Sequence, residues 1–352
     1  MMTAGVAAAE VTFSGTANFG YNDTDHATGA SVGAAFSDID LNIDFSHELN
    51  NGYTAAASFE FDVANADQGA SFNASDAVIS LKNADFGIHY GDTKHGAENA
   101  WSAVGSMDND AFRVADGEMV TRADMTFGGA KIGISLGDDT NYTVTAASGT
   151  TPAVKGTEKD YISLGITGTA GAFSYALAHQ NANTAWLDGD DNSVESQQAT
   201  TGVHVSTTLG GATVALGYAK NDDGGSTGIE VSYPMGALTT TASYVQEGAA
   251  SAENKWDVKV AYAADAVGLT VATDESQDWN VDVSYEMGNG LSLFVGADDG
   301  GEDKYAGVSY DLGGGASLLA SYANDSNNTD TDDEVGAKDY KEGMTFQLSF
   351  AF

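Results

Sequence analysis

The sequence predicts an all-β protein, a transmembrane antiparallel β-barrel, and three observations predict it. Apolar residues recur at every second position in segment after segment, the period of a strand with one oily face. The apolar parity of those segments holds no Asp, Glu, Lys or Arg, whereas the opposite parity carries many. No run of about 18 apolar residues is present to form a membrane helix. A closed barrel is the other form that satisfies every backbone group in lipid.

Each element follows from its parity. Val11, Phe13, Phe19 and Tyr21 share one, then Ile39, Leu41, Ile43 and Phe45, then Tyr53, Phe59, Phe61 and Val63. Short runs follow at Ala77/Ile79/Leu81 and Phe86/Ile88/Tyr90. After a long insertion come Ala123/Met125/Phe127, Ile132/Ile134/Leu136, Ile162/Leu164/Ile166 and Phe173/Tyr175/Leu177. The second half continues with Val203/Val205/Leu209, Val214/Leu216/Tyr218, Ile229/Val231/Tyr233 and Leu238/Ala242/Tyr244. Then come Trp256/Val258/Val260/Tyr262, Val267/Leu269/Val271, Trp279/Val281/Val283/Tyr285 and Leu291/Leu293/Val295. Ala306/Val308/Tyr310, Leu318/Ala320/Tyr322 and the alternating run from Met344 to Phe352 complete the set, so the pattern allows 18–20 strands.

Charged residues fall on the other face: Asp40, Asp44, Glu60, Asp62, Lys82, Arg122, Asp124, Lys131, Asp257, Lys259 and Asp282. A charge on the lipid face costs roughly 2–4 kcal/mol near the bilayer midplane, so a membrane enforces this segregation. A soluble antiparallel sandwich alternates too, but it need not keep its apolar face free of charge over so many strands.

The runs Val231-Ser232-Tyr233-Pro234-Met235-Gly236, Val283-Ser284-Tyr285-Glu286-Met287-Gly288 and Val308-Ser309-Tyr310-Asp311-Leu312-Gly313 repeat one hairpin, with a looser copy at Val205–Gly211. They predict short turns on one rim, each with an interfacial tyrosine. Loops rich in Asp, Asn, Thr and Ser are expected at the opposite ends, over 22–30, 64–75, 138–158, 182–198 and 324–342.

Composition narrows the function classes. Thirteen Lys+Arg against 51 Asp+Glu give a net charge of −38, which excludes attraction to nucleic acid or anionic lipid and favours cations. Without cysteine there is no disulfide scaffold, thiolate zinc site or cysteine nucleophile. Forty-three glycines and two prolines suit tight turns between uninterrupted strands. A mean hydropathy of −0.20 suits a barrel, in which alternate residues alone need be apolar. Ala7-Ala8-Ala9 before Glu10 matches a secretory cleavage pattern, so residues 1–9 are expected to be a signal-peptide remnant and 10–352 a single barrel domain.

The two ends of the chain read Glu10-Val11-Thr12-Phe13-Ser14-Gly15 and Tyr310-Asp311-Leu312-Gly313-Gly314-Gly315-Ala316-Ser317, with Phe352 as the terminal residue. They carry a resemblance to Gram-negative general porins, specifically the alphaproteobacterial type of purple non-sulfur bacteria. It implies a bacterial outer-membrane location, homotrimers of 16-stranded barrels set in outer-membrane lipid and lipopolysaccharide, and a constriction loop after the fifth strand folded into the channel. That position corresponds to Gly91–Glu118, which contains Glu98, Trp101, Met107, Asp108, Asp110, Phe112, Arg113, Asp116 and Glu118. The Pro-Glu-Phe-Gly-Gly-Asp motif of enterobacterial porins is absent, so its loop geometry does not carry over. The aromatic and Met side chains suit anchoring to the wall, and the carboxylates suit projection into the lumen.

General porins set an acidic loop against wall arginines; here Lys82, Arg122 and Lys131, with His89 nearby, are the candidates for a reduced basic cluster. Lumenal carboxylates exceed them, which predicts a cation-preferring pore for passive diffusion of small hydrophilic solutes and ions. A substrate-specific channel or a structural or adhesive barrel is the alternative. Trp256 and Trp279 fall on the lipid-facing parity rather than forming an aromatic slide along the lumen. An enzyme is not expected, because no nucleophile elbow, phosphate loop or metalloprotease motif occurs and the six histidines are scattered. No cofactor is expected, apart from Ca²⁺ on acidic loops, for which Asp188, Asp190 and Asn192 offer hard oxygen ligands without forming an EF-hand. Small residues on the apolar parity of the first strands, Gly15, Ala17, Ala55 and Ala57, suit close packing between barrels.

Overall fold

The computed structural model describes residues 9–24, 34–65, 69–115, 119–137, 142–145, 154–156, 161–187, 194–248, 252–326, 334–336 and 338–352. Among them, twenty strands form one closed sheet. In chain order they are β1 (Glu10–Asn22), β2 (Ala34–Glu48), β3 (Thr54–Asn65), β4 (Gly69–Lys82), β5 (Phe86–Gly91), β6 (Val120–Phe127) and β7 (Ala130–Gly137). β8 (Ile162–Ala170), β9 (Phe173–Gln180), β10 (Thr200–Leu209), β11 (Ala212–Lys220), β12 (Gly225–Met235), β13 (Leu238–Glu247) and β14 (Lys255–Ala264) follow. The last are β15 (Val267–Asp274), β16 (Trp279–Gly288), β17 (Leu291–Asp298), β18 (Asp303–Gly313), β19 (Ala316–Asn324) and β20 (Gly343–Ala351).

Every strand pairs antiparallel with its neighbours in sequence, and β20 pairs back onto β1 with Phe19 opposite Leu348. The seam is prolonged by reciprocal backbone hydrogen bonds between Gly15 and the terminal Phe352, at 2.9 and 3.1 Å. The 16 strands implied by family resemblance are therefore corrected to twenty. Each alternating run from Val11 to Phe350 is a barrel strand, and none is a loop hairpin. Three short hairpins stand outside the barrel sheet among the described residues: Tyr142–Thr145 with Val154–Gly156, Asn183–Leu187 with Val194–Gln197, and Glu334–Val335 with Tyr340–Lys341.

A second correction concerns 64–75, read as a loop from its polar composition. β3 runs to Asn65 and β4 begins at Gly69, with register shifts at Glu60/Phe61 and Asp62/Ala64. Ladder hydrogen bonds do not depend on side-chain polarity, so strands can continue above the bilayer where neither face needs to be apolar.

The short turns form one rim. Gly128–Gly129 (φ 59° and 86°) and Gly210–Gly211 (φ 58° and 90°) have two consecutive left-handed residues, the requirement of the tightest hairpin turn. The long connections form the other rim. Between the rims, the apolar parity faces outward, with Phe13, Phe127 and Phe346 more than half exposed. Two aromatic belts mark the bilayer interfaces. Phe127, Phe173, Tyr233, Tyr285 and Tyr310 lie near the short turns, and Tyr21, Tyr90, Tyr218, Tyr244, Trp256 and Trp279 near the long loops. In the second belt Tyr244 sits directly across from Trp256. Sequence reading found the first belt in the repeated hairpin and missed the second.

Buried apolar residues form three small clusters on the inner wall rather than one central core. Two of them are made by the segment after β5, and the third by the segment before β20.

Candidate functional site

The inward parity of β7–β13 is a strip of small residues, among them Gly133, Ser135, Ser163, Gly165, Gly202, Gly217, Gly228 and Ser243. Against this strip lies the long connection between β5 and β6. A Cβ at Gly165 would stand 1.9 Å from the Gly96 carbonyl oxygen, and one at Gly228 2.5 Å from that of Val104. Glycine at these positions is what lets one backbone rest directly on another.

The connection begins with a single helical turn, α1 (Gly96–Ala100). Its free amides are taken up by the wall: Gly96 N donates to Ser135 Oγ at 3.0 Å and Ala97 N to Ser163 Oγ at 2.7 Å. Trp101 then covers Gly202 on β10, and Val104 and Met107 fill the space over Gly217 and Gly228 on β11 and β12. Val104 is 1% exposed although the lumen around it is open. Asp108 reaches Lys255 on β14 in an ion pair. The chain returns nearer the long-loop rim, where Glu247 accepts hydrogen bonds from Asp108 N, Asn109 Nδ2 and Ser226 Oγ. Gln180 Oε1 accepts from Arg113 N at 2.9 Å, and Phe112 lies against Trp101 with ring centroids 5.3 Å apart. The segment thus crosses the inner wall from β7 to β14, eight of the twenty strands, and comes back.

Within this segment the carboxylates have separate tasks. Glu98, its side chain 10% exposed, accepts from the amides of His95 at 3.0 Å and Ala115 at 3.2 Å and so ties the two legs together. Asp110 accepts from Trp101 Nε1 at 3.0 Å; burial pushes its carboxyl above the usual range and that hydrogen bond opposes the shift. Asp108, with a side chain 45% exposed, faces the water. Arg113 is buried and lies over the Tyr161 ring at 5.0 Å. Asp116 and Glu118 lie outside the described residues.

On the wall beneath α1, Lys82, His89, Asp124 and Lys131 gather with Asn99 around a recess of about 280 Å³. Arg122 stands slightly above them and is largely buried. Its Nη1 donates to the Lys94 carbonyl at 2.6 Å, and its Nε donates to both oxygens of Asp124 at 3.1 Å. His89 Nε2 lies 3.2 Å from the same carboxylate.

Elsewhere the lumen is acidic. Asp40 on β2 faces Asp62 on β3, and Asn42 faces Glu60. Asp44 accepts from Ser58 Oγ at 2.5 Å and Asp40 from Thr16 Oγ1 at 3.1 Å. Asp257 accepts from Ser243, Asp282 accepts from the Tyr305 hydroxyl, and Lys259 is exposed on β14. Asp257 also joins Asp274, Asp278, Asp298, Asp299 and Asp303 around a recess of about 450 Å³ at the long-loop ends of β14–β18. Sequence reading missed these last five because it followed parity within strands and stopped at strand ends. Glu247 and Gln180, which hold the inward segment, were missed too; both lie on the inward parity at strand ends.

Asp188, Asp190 and Asn192, the calcium candidates, lie outside the described residues. Among the described residues no cluster of three or more His, Asp or Glu side chains is arranged to hold a metal ion.

An oily exterior between two aromatic belts, a charged interior and a chain segment laid across that interior define an outer-membrane channel protein of the porin class, not an enzyme. The chain belongs to the Gram-negative porin family, whose sequence profile matches residues 1–331. Solved porins share the fold. A three-substitution variant of Rh. blastica porin is 13% identical with a TM-score of 0.51, over 97% of this chain and 100% of that one. A two-substitution variant of the same porin is 13% identical with a TM-score of 0.50 and the same coverage. A structure described as "Asymmetric conductivity of engineered proteins" gives the same identity, score and coverage. No curated protein sequence matches the chain.

Proposed function

We propose that this porin passes small hydrophilic solutes by passive diffusion, prefers cations, and works as a homotrimer in a lipopolysaccharide-bearing membrane. The observation that carries the cation preference is the excess of inward carboxylates over the inward basic groups Lys82, Arg122, Lys131, Lys255 and Lys259. The basic groups Arg122 and Lys255 are matched to Asp124 and Asp108, within 4 Å in each case. Asp40, Asp44, Glu60 and Asp62 instead face one another or hydroxyl and amide side chains across β1–β3. Unmatched carboxylates in a low-dielectric-walled passage raise the local cation concentration. In a planar bilayer under a KCl gradient, the reversal potential is expected on the potassium side; a chloride-side potential would overturn the preference.

The trimer reading rests on the outer face of β1–β3. Ala17, Ala55 and Ala57 leave shallow, half-buried positions there, where a second barrel can approach closely. Ala55→Trp combined with Ala57→Trp is expected to shift the native-gel band from trimer to monomer while the heat-modified band of the folded barrel persists. An intact trimer in that variant would move the contact to another face.

A further inference from the structure

We propose that the segment entering β20 is a second constriction element, docked by aromatic side chains on the part of the wall that the first inward segment leaves bare. It builds on the pore reading and adds to it. Glu334–Val335 and Tyr340–Lys341 pair as a short hairpin with two residues on each side. Neither composition nor position marks this hairpin as anything but surface loop, yet Val335 is 1% and Tyr340 7% exposed.

What covers them is the inner wall. Val335 and Tyr340 cluster with Tyr305 of β18 and Ala323 of β19, and Phe294 of β17 packs against the cluster. The Tyr340 ring stacks on Phe294 at 4.6 Å with an 8° interplanar angle and lies 4.9 Å from Tyr305. Such contacts add to ordinary apolar burial. The turn rests on Tyr305, since a Cβ at Gly336 (φ 78°) would stand 2.3 Å from that ring. On the other side Lys341 Nζ lies 5.8 Å over the ring of Phe36, on β2. The hairpin therefore spans β17 to β2 through β18–β20 and β1.

Its depth matches that of the first segment. Tyr305 is two residues from the β18 start at Asp303, and Phe36 two from the β2 start at Ala34. Gly217 is three residues from the β11 end at Lys220, and Gly228 three from the β12 start at Gly225. Both segments therefore lie two to three residues in from the long-loop ends of the strands they cover, one over β7–β14 and the other over β17–β2. Barrel diameter grows roughly in proportion to strand number. A twenty-stranded ring is too wide for one segment to narrow from one side, and the hairpin closes it from the other. The passage left between them is bordered by β3–β6 and by β15–β16.

The chain has no cysteine, so an introduced thiol is the sole site for a thiol reagent. Lys338 is exposed on the hairpin turn. Lys338→Cys channels in planar bilayers, treated with a bulky cationic methanethiosulfonate, are expected to lose roughly a third or more of their single-channel conductance, as a second body in a narrow passage requires. Asp108→Cys on the first segment provides the reference block. Conducting parent channels establish the pore independently, so the Lys338 result bears on the hairpin alone. A Lys338→Cys protein shown by mass to be labelled, with conductance unchanged while labelled Asp108→Cys is blocked, would overturn the proposal.

Discussion

Excising Ser102–Asn109 and joining Trp101 to Asp110 through a short glycine bridge is expected to raise single-channel conductance about twofold and to admit larger sugars in liposome swelling. The excision is geometrically mild because Trp101 Nε1 donates to Asp110 Oδ2 at 3.0 Å, so the flanking side chains already touch and a bridge of about four glycines can span the two backbones. It removes the tip bearing Val104 and Met107 and keeps α1, Phe112 and the contacts of Glu98. Burial of those two apolar side chains is worth about 1.5–3 kcal/mol each, and it stabilises the docked tip rather than the barrel ladder. The wall groups uncovered by the cut, Ser226, Glu247 and Lys255, face lumenal water and can be solvated, so no buried polar group is stranded. Conductance equal to that of the parent would mean that the tip lies outside the limiting cross-section.

The second large effect is electrostatic. Asp40→Asn, Glu60→Gln and Asp62→Asn together neutralise the centre of the acidic face on β2 and β3, where Asp40 and Asp62 are direct cross-strand neighbours. The potassium-to-chloride permeability ratio is expected to fall about threefold at 0.1 M salt, where the Debye length is ~10 Å. At 1 M that length is ~3 Å, and parent and variant should converge. Neutral replacements relieve like-charge repulsion across the ladder, so stability should hold or rise. An unchanged ratio would place the selecting charges at the rim recess lined by Asp257, Asp274 and Asp298.

The strands were legible because a bilayer tests each of them separately. The run Trp279/Val281/Val283/Tyr285 identifies β16 without any knowledge of β15 or β17, because one misplaced charge on that face is costly in itself. For the same reason, counting runs allowed 18–20 strands, a range that includes the observed twenty, where the resemblance at the chain ends implied 16. Where the membrane stops, so does the pattern: the ends of β3 and β4 carry polar sequence and read as loop.

The inward segments were legible in part. Trp101, Met107 and Phe112 stood out in an otherwise polar insertion, but their seats did not. Gly202, Gly217 and Gly228 are more than 100 residues further along the chain and look like ordinary strand glycines one at a time. They become a track for the segment when the registers set Gly217 directly opposite Gly228 and put Gly202 one inward position away, opposite Ala219. The same holds for Tyr340, whose partners Phe294 and Tyr305 belong to two other strands.

By itself, then, the sequence determined that this chain is a membrane barrel, which face of each strand meets lipid, and that acid outweighs base in the lumen. These are properties of single positions set against a uniform solvent, and they are decided strand by strand. The tertiary structure alone decided which stretches of wall are covered, which carboxylates are spent on holding the first inward segment, and which remain open to the lumen. Those outcomes depend on closing the ring, because packing and pairing are made between residues that only the barrel's registers bring within reach.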